Sequence, residues 1–422
     1  MGCLVKLKQN KRTAGMRAVR MERCEQVTLL MRQHIGAQCL PCVKAGERVL
    51  AGQLIGGSDA EVSVPVHASI SGTVRRIGTV RLPDGGESQA VVIASDGLME
   101  HVEYQPPTVN SQGEFIAELR ASGLVGLGGA GFPAYAKLRG AARPGSCAGK
   151  ADILLVNGAE CEPFATADHR EMLDSAPDIA EGIRQICRWM GIEKAIVGVE
   201  DNKPDAIALL RGHGIAVKKL PSRYPQGTEK KLIHSLTGRV VPLGRLPFDV
   251  GVLSMNVSSV AFLGRYMRTG KPLISRMVTV GGDACPTAMN VRVPIGVCLR
   301  ELLAFCGAGD ADPAKIVVGG PMMGVAVPDL DTVINKTDST VLLLSASQQK
   351  PERACIRCGG CLFVCPMRLQ PFKLDQAVLA GEREALAKLR APACVECGCC
   401  SYVCPAGRDL AQRIKRGKGM VK

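Results

Sequence analysis

Aromatic residues make up 3% of this 422-residue chain, with one tryptophan, five tyrosines and six histidines. So few rings leave little to stack on bases, which argues against a nucleic-acid binder even though the formal net charge is +14. The charge also lacks a groove to line. Lys6, Lys8, Lys11, Arg12, Arg17, Arg20 and Arg23 against Glu22 give +6 within residues 1–24, and Arg408, Arg413, Lys415, Arg416, Lys418 and Lys422 against Asp409 give +5 after Cys404. The body between is nearly balanced. Basic ends read first as solvated tails, and second as attraction toward an acidic redox partner or an anionic membrane surface. No basic-apolar-small leader opens the sequence, so no signal peptide is expected. The longest charge-free stretch in the middle, Ala121 to Ala136, is interrupted by glycines and Pro133 and is a poor spanning helix. The expectation is a cytoplasmic protein, at most peripheral on the cytoplasmic face of the inner membrane. A disulfide framework is also missing: 19 cysteines are present, and those outside two tight runs are scattered, as suits a reducing cytosol.

Those two runs are the strongest signal. Cys355, Cys358, Cys361 and Cys365-Pro366 are repeated as Cys394, Cys397, Cys400 and Cys404-Pro405, both spelling C-x-x-C-x-x-C-x-x-x-C-P. In this ferredoxin-type spacing the fourth cysteine of each run ligates the other cluster. Two 4Fe-4S clusters are therefore expected, one on Cys355, Cys358, Cys361 and Cys404, the other on Cys394, Cys397, Cys400 and Cys365. Structural zinc, the competing reading, needs only two C-x-x-C pairs and leaves the third and fourth cysteines of each run without a role. Gly359, Gly360 and Gly398 let backbone N–H groups approach the sulfurs, and Cys399 reads as a spectator.

Along the rest of the chain the texture changes several times. Residues 1–24 form the basic extension. Residues 25–100 read as short strands with glycine turns, PCVKAGERVLAGQLIG, VPVHASISGTV and VVIAS, resembling a lipoyl or biotinyl carrier barrel. No lysine or arginine falls between Arg48 and Arg75, which argues against a swinging cofactor arm, and the module reads as structural. His67 is placed on a loop between strands. Residues 112–272 alternate helical and strand patterns, an α/β layer architecture, with strands at 153–156 and 195–199 and helices at 172–190 and 229–236. Between helix and strand lies GLVGLGGAGFP, Gly123 to Pro133, whose bare backbone suits close approach to a phosphate or a flat ring. It is not a dinucleotide fingerprint, because no clear strand precedes it. Residues 276–345 read as a β-grasp unit containing the glycine loop GGPMMG, Gly319 to Gly324, residues 350–410 as the cluster domain with a helical connector at 372–389, and 411–422 as a basic tail.

QHIGA, VPVHASISG, GLGGAGFP, NGAECEP, YPQGTEKKLIHSLTGR, GGPMMG and both cysteine runs, in this order, resemble the C subunit of the Rnf electron-transport complex. The blocks are also similar to the microcompartment cobalamin reductase and, in the middle, to the NADH- and FMN-binding subunit of respiratory complex I. The resemblance implies a multidomain α/β plus β protein: lipoyl-like barrel, complex I-type FMN-binding α/β domain, β-grasp (SLBB-type) domain and ferredoxin-like two-cluster helical domain. It implies that Gly126, Gly128, Gly129, Gly131 and Lys137 cradle FMN, with Asn157, Tyr224, Gly227 and Asn256 around it, and that Glu160, Glu162, Glu229 and Phe132 lie on the NAD(H) side. Met255 and Ala159 depart from the family pattern, which has asparagine and aspartate there. The implied activity is NADH-dependent oxidoreduction. NADH gives a hydride to FMN, and single electrons pass through the clusters to other electron-transport subunits or a carrier such as ferredoxin, flavodoxin or a corrinoid protein. The alternative is a non-catalytic iron-sulfur relay that binds no nicotinamide.

Overall fold

The computed structural model describes residues 4–83, 85–142, 151–346 and 351–421. The N-terminal extension, read as a solvated tail, instead runs across the body. Val5 makes an antiparallel bridge to Tyr224, and Val19–Arg20 (β1) pairs in parallel with a strand some 270 residues later. The charge pattern misled because Lys11 spends its ammonium on backbone carbonyls instead of on solvent.

Gln26–Leu30 (β2), Leu40–Pro41 (β3), Arg48–Val49 (β4), Leu54–Gly57 (β5), Val66–His67 (β6), Gly72–Arg81 (β7) and Glu87–Ser95 (β8) form two antiparallel sheets, ordered β2-β8-β7-β4 and β3-β5-β6. Alternating residues close the barrel: Val27, Leu29, Val49, Ile55, Val66, Val74, Val91 and Ile93 are all buried. His67 lies on strand β6, not on a loop. Burial and the nearby Lys336 ammonium hold its ring neutral, down at about 3. Lys336 is itself buried and donates to Pro65 O and Gly123 O, riveting the barrel to the next domain.

Gln112–Ala121 (α1) and Ala134–Ala142 (α2) precede a four-stranded parallel sheet. The glycine loop therefore lies between two helices, since AYAKLRGAA after Pro133 is alanine-rich and helical. Ile153–Gly158 (β9), Ala167–Asp174 (α3), Ala176–Met190 (α4), Lys194–Glu200 (β10), Pro204–Gly212 (α5), Val217–Leu220 (β11), Glu229–Thr237 (α6), Val252–Asn256 (β12) and Val257–Thr269 (α7) complete the layer. The sheet order is β11-β10-β9-β12. Leu154, Leu155 and Val156 are buried in succession, as a strand covered on both faces requires. The helix expected at 172–190 is two helices broken at Ser175. Pro177 has no N–H to give Leu173 O, so α4 starts afresh with proline in its first turn. Helices α4 and α7 cross at Gly182 and Gly264, where a Cβ would sit 2.1 Å from Val260 O and 2.0 Å from Asp178 O.

Ser275–Gly281 (β13), Met289–Pro294 (β14), Leu299–Phe305 (α8), Lys315–Val318 (β15), Val325–Ala326 (β16) and Thr340–Leu344 (β17) form the β-grasp unit, whose sheet runs β1-β14-β13-β17-β15-β16. A buried carboxylate joins it to the α/β layer: Glu171 of α3 accepts from Arg265 of α7 at 2.6 Å and Arg292 of β14 at 2.8 Å.

The cluster domain repeats itself in backbone as well as in sequence. Gly360–Val364 (α9) and Cys399–Tyr402 (α12) begin after Gly359 and Gly398, with φ of 74° and 75°. Arg357 and Glu396, each preceding the second cysteine of its run, share φ of 55° and 56°. Between the runs lie Pro371–Ala380 (α10) and Arg383–Lys388 (α11). The segment read as a basic tail is largely helical, Leu410–Met420 (α13), with Leu410 and Ile414 buried. Buried Asp375 of α10 accepts from Arg408 and Arg413, so two of the tail's cations serve to close the domain.

Candidate functional site

In a parallel sheet, ligands settle at the carboxyl ends of strands where the winding order reverses. Here β9 connects outward to β10, whereas β12 returns to its other side, so the crevice opens between β9 and β12. Asn157 and Asn256 are register partners at those two strand ends. Asn157 Nδ2 donates to Gly227 O at 2.8 Å, and its Oδ1 accepts from Ala159 N–H. Asn256 caps α7, its Oδ1 accepting from Ser258 and Ser259 N–H, while its Nδ2 donates to Asp168 Oδ2 at 2.8 Å. Asp168 also takes the Ser258 hydroxyl; burial nonetheless pushes its carboxyl above the usual range. Of the two departures from the family pattern, Met255 is buried in the core, and Ala159 is buried in a small apolar cluster while its N–H donates to Asn157.

The glycine loop meets this crevice from the side. Gly126 N–H donates to Phe132 O at 2.8 Å and Val125 bridges Pro133, closing the loop on itself. Leu127 N–H is anchored on Ser259 Oγ. The N–H groups of Gly128, Gly129 and Ala130 donate to no acceptor among the described residues, and all three residues are exposed. A Cβ on Gly128 would lie 3.3 Å from Asn256, and one on Gly131 2.9 Å from Thr337. Phe132 is partly exposed at the end of the loop. Lys137 of α2 pairs with Glu229, the first residue of α6, at 2.6 Å. At Gly227 a Cβ would strike Ala159 O at 2.4 Å, so that turn tolerates no side chain. Beside it Gln226 is buried with an amide nitrogen that has no partner among the described residues. Free N–H donors, an orphaned amide and a turn bared of side chains fit a flat, phosphate-bearing cofactor.

Glu160, Glu162 and Tyr224 stand deeper. Both Glu160 oxygens accept α3 amides, from Asp168 at 2.9 Å and His169 at 3.3 Å, and burial pushes its carboxyl upward. Glu162 accepts from Met322 N–H at 3.1 Å, within the GGPMMG loop, and burial pushes it up to about 7. Fully buried Tyr224 donates to Cys397 O at 2.7 Å, with Glu162 Oε1 at 3.4 Å from the same hydroxyl. Three segments thus meet at one seam: the strand-end loop, the GGPMMG loop and the second cysteine run. Leu7, Cys161, Tyr224, Cys397 and Cys399 form its apolar filling.

The eight cysteines line two separate cavities, four to each. A space of about 120 Å³ is lined by Cys355, Cys358, Cys361 and Cys404. A smaller one is lined by Cys365, Cys394, Cys397 and Cys400, with Cys399 beside them. Leu369 N–H points at Cys365 Sγ at 3.3 Å and Glu396 N–H at Cys394 Sγ at 3.4 Å. Burial pushes the Cys394 thiol up to about 11, with the Lys418 ammonium opposing it. Four cysteine sulfurs around one apolar hole fit an iron cluster, whose positive charge would hold them as thiolates.

Family models agree with this layout. The RnfC barrel sandwich hybrid domain matches residues 4–98, the Nuo51 FMN-binding domain residues 119–265 and the 4Fe-4S dicluster domain residues 354–408. The C subunit of the proton-translocating ferredoxin:NAD(+) oxidoreductase complex of Clostridium ljungdahlii is 43% identical over 361 residues, which is 83% of this chain and 78% of that one. The chain belongs to the RnfC family. The C subunit of the Na(+)-translocating ferredoxin:NAD(+) oxidoreductase complex of Acetobacterium woodii is 40% identical over 83% of this chain and 81% of its own. Its counterpart in the ion-translocating oxidoreductase complex of Pseudomonas aeruginosa is 43% identical over 84% of this chain, which spans only 47% of that relative. Among solved structures, an NAD+-reducing NiFe-hydrogenase in the H2-reduced state shares the fold at a TM-score of 0.51 and 18% identity, over 75% of this chain and 64% of that one. As an RnfC-family member the chain is an electron-transfer subunit of a multi-subunit oxidoreductase complex, with an FMN-binding domain and a two-cluster domain. Among the described residues no helix is long and apolar enough to cross a membrane.

Sequence reasoning had no access to Lys11, Asp168 or Gln226. Lys11 and Asp168 act through partners remote in the chain, Gln226 shows itself only by the burial of its unpartnered amide, and none stands in a recurrent spacing.

Proposed function

We propose that this chain passes electrons between NAD(H), bound with FMN at the β9/β12 crevice, and the two clusters, and from them to a partner. The observation that carries the reading is Tyr224, whose backbone lies three residues before Gly227 and whose hydroxyl is bonded to the carbonyl of cluster cysteine Cys397. Bound FMN would supply the exchange between two-electron hydride chemistry and the one-electron steps of a cluster. The protein's part is placement. Gly128 and Gly129 offer N–H donors to the cofactor, with Asn157, Asn256 and Gly227 forming the wall of the crevice. Lys137 and Glu229 close one side as an ion pair, and Phe132 overhangs the entrance. Tyr224 and Glu162 keep the cluster run seated against the flavin domain and exclude water from the seam. No acid, base or nucleophile is asked of the chain.

The partner is proposed to be another subunit of the complex or a soluble carrier (ferredoxin, flavodoxin or a corrinoid protein), with association at the cytoplasmic face of the membrane through the complex. An anaerobic preparation tests the reading. Its spectrum should show flavin and iron-sulfur bands that bleach on adding NADH, and Glu229→Ala should weaken the NADH response while iron content holds. Colourless protein, or zinc in place of iron, refutes it. Full cofactor content without NADH bleaching replaces it with the non-catalytic relay.

A further inference from the structure

We propose that Lys11 is a positioning residue for the nicotinamide side of this site, acting by holding the loop between β9 and α3 from behind. The proposal rests on the reading that NAD(H) binds beside that loop. Residues 159–166 bear Glu160 and Glu162 but have no regular secondary structure of their own. Carbonyls in such a loop must find donors elsewhere. The Lys11 ammonium supplies them, donating to Glu160 O at 2.9 Å, Glu162 O at 3.1 Å and Ala165 O at 2.5 Å. An ammonium has three N–H groups, so its whole donor capacity goes to one loop.

The rest of the extension reinforces the grip. Gln9 O takes Phe164 N–H at 2.8 Å, and Thr13 Oγ1 meets Thr166 Oγ1 at 2.5 Å. Asn290 of the β-grasp sheet donates to Thr13 O, and Val5 exchanges both backbone bonds with Tyr224 at 2.8 Å. The strap therefore ties together the loop carrying the two glutamates, the tyrosine against the cluster run and the β-grasp sheet. Phe164 shows that the loop needs holding: its φ is 67°, a conformation that a bulky side chain keeps only where its surroundings impose it. Burial pulls the Lys11 ammonium below its ordinary range, with Glu160 opposing that most strongly. Arginine would not substitute. A planar guanidinium cannot direct three donors at three carbonyls converging on one point, though it keeps the charge.

The test compares wild type, Lys11→Met, Lys11→Arg and Thr13→Val, purified anaerobically, in steady-state NADH oxidation with an artificial one-electron acceptor, alongside flavin and iron content. A displaced loop weakens nicotinamide binding in ground and transition states alike. KM for NADH should rise about tenfold in Lys11→Met and nearly as much in Lys11→Arg, with kcat within about twofold and cofactor content unchanged. Thr13→Val, which loosens the other end of the strap, should raise KM about threefold, and it carries the test should Lys11→Met not accumulate. Unchanged KM in these variants overturns the proposal. So does a KM rise that merely tracks lost flavin, because that marks Lys11 as structural only. Restoration of wild-type KM by Lys11→Arg also overturns it, showing that charge and not geometry matters. Wild-type protein that fails to react with NADH refutes the underlying reading and removes the proposal with it.

Discussion

Replacing Glu171 by glutamine should loosen the joint between the α/β layer and the β-grasp sheet by an amount the structure allows to be worked out. The Glu171 carboxylate is buried and accepts from Arg265, Arg292 and the Ser175 hydroxyl. Burial alone would raise its pKa, but the Arg292 and Arg265 guanidiniums outweigh it and hold the group down at about 2, against an ordinary 4.5. At about 1.36 kcal/mol per pH unit this difference is roughly 3 kcal/mol of folding stability. Because the folded value is depressed, the contribution is complete above the unfolded pKa and is lost only as pH falls from there through about 2. Glutamine leaves Arg292 with a neutral acceptor in a buried place, whereas Arg265 keeps Asp178 at 3.1 Å. A loss of about 3 kcal/mol at pH 7 is therefore expected, within the usual range for breaking a buried pair. Trp189, the single tryptophan, lies in α4 of the same domain and reports its unfolding in urea by fluorescence. The midpoint should fall by about 1 to 1.5 M, and the difference from wild type should stay constant between pH 6 and 8. A shift under about 0.3 M, or a difference that changes across that window, refutes the reasoning. So would a double-mutant cycle with Arg292→Met giving a coupling below about 1 kcal/mol.

Crossed ligation predicts that Cys404→Ser damages the cluster of Cys355, Cys358 and Cys361, and that Cys365→Ser damages the one of Cys394, Cys397 and Cys400. Each should lower iron from about eight to about four per chain, and electron paramagnetic resonance should show that the two variants keep different clusters. Gly227→Ala, forced against Ala159 O, should purify with little flavin, since backbone must move to admit the methyl group; flavin fluorescence after acid release measures the loss. Lys137→Met breaks an ion pair that is partly exposed on both sides, so stability should change by less than about 1 kcal/mol while flavin retention drops. Equal retention in the variant would remove Lys137 from the site.

What could be read from sequence was what short-range chemistry determines. The cysteine spacing pointed to two four-sulfur sets, because a cubane imposes its own geometry on a few residues, and two cavities are each lined by four cysteines drawn from both runs. Strands at 153–156 and 195–199 fall within β9 and β10, because buried parallel strands leave continuous apolar runs. Elements defined by remote partners were misjudged. Lys11 looks like any surface lysine until its three carbonyls, some 150 residues away, are known. Arg408 and Arg413 read as tail charge until Asp375 appears beneath them. The helix at 172–190 failed for a local reason that was visible, Pro177, whose missing N–H was outweighed by the apolar pattern around it. The crevice itself could not be seen in one dimension, since Asn157 and Asn256 become neighbours only when β12 returns beside β9.

The sharing of sulfurs between the two runs has a further consequence for biosynthesis. Each cavity borrows one sulfur from the other half of the domain, so the cavity of Cys365 has all four only once Cys400 has been made, and the cavity of Cys355 only once Cys404 has been made. Neither run alone supplies four sulfurs to one cavity, so a proteolytic nick in the α10–α11 connector would endanger both sites at once.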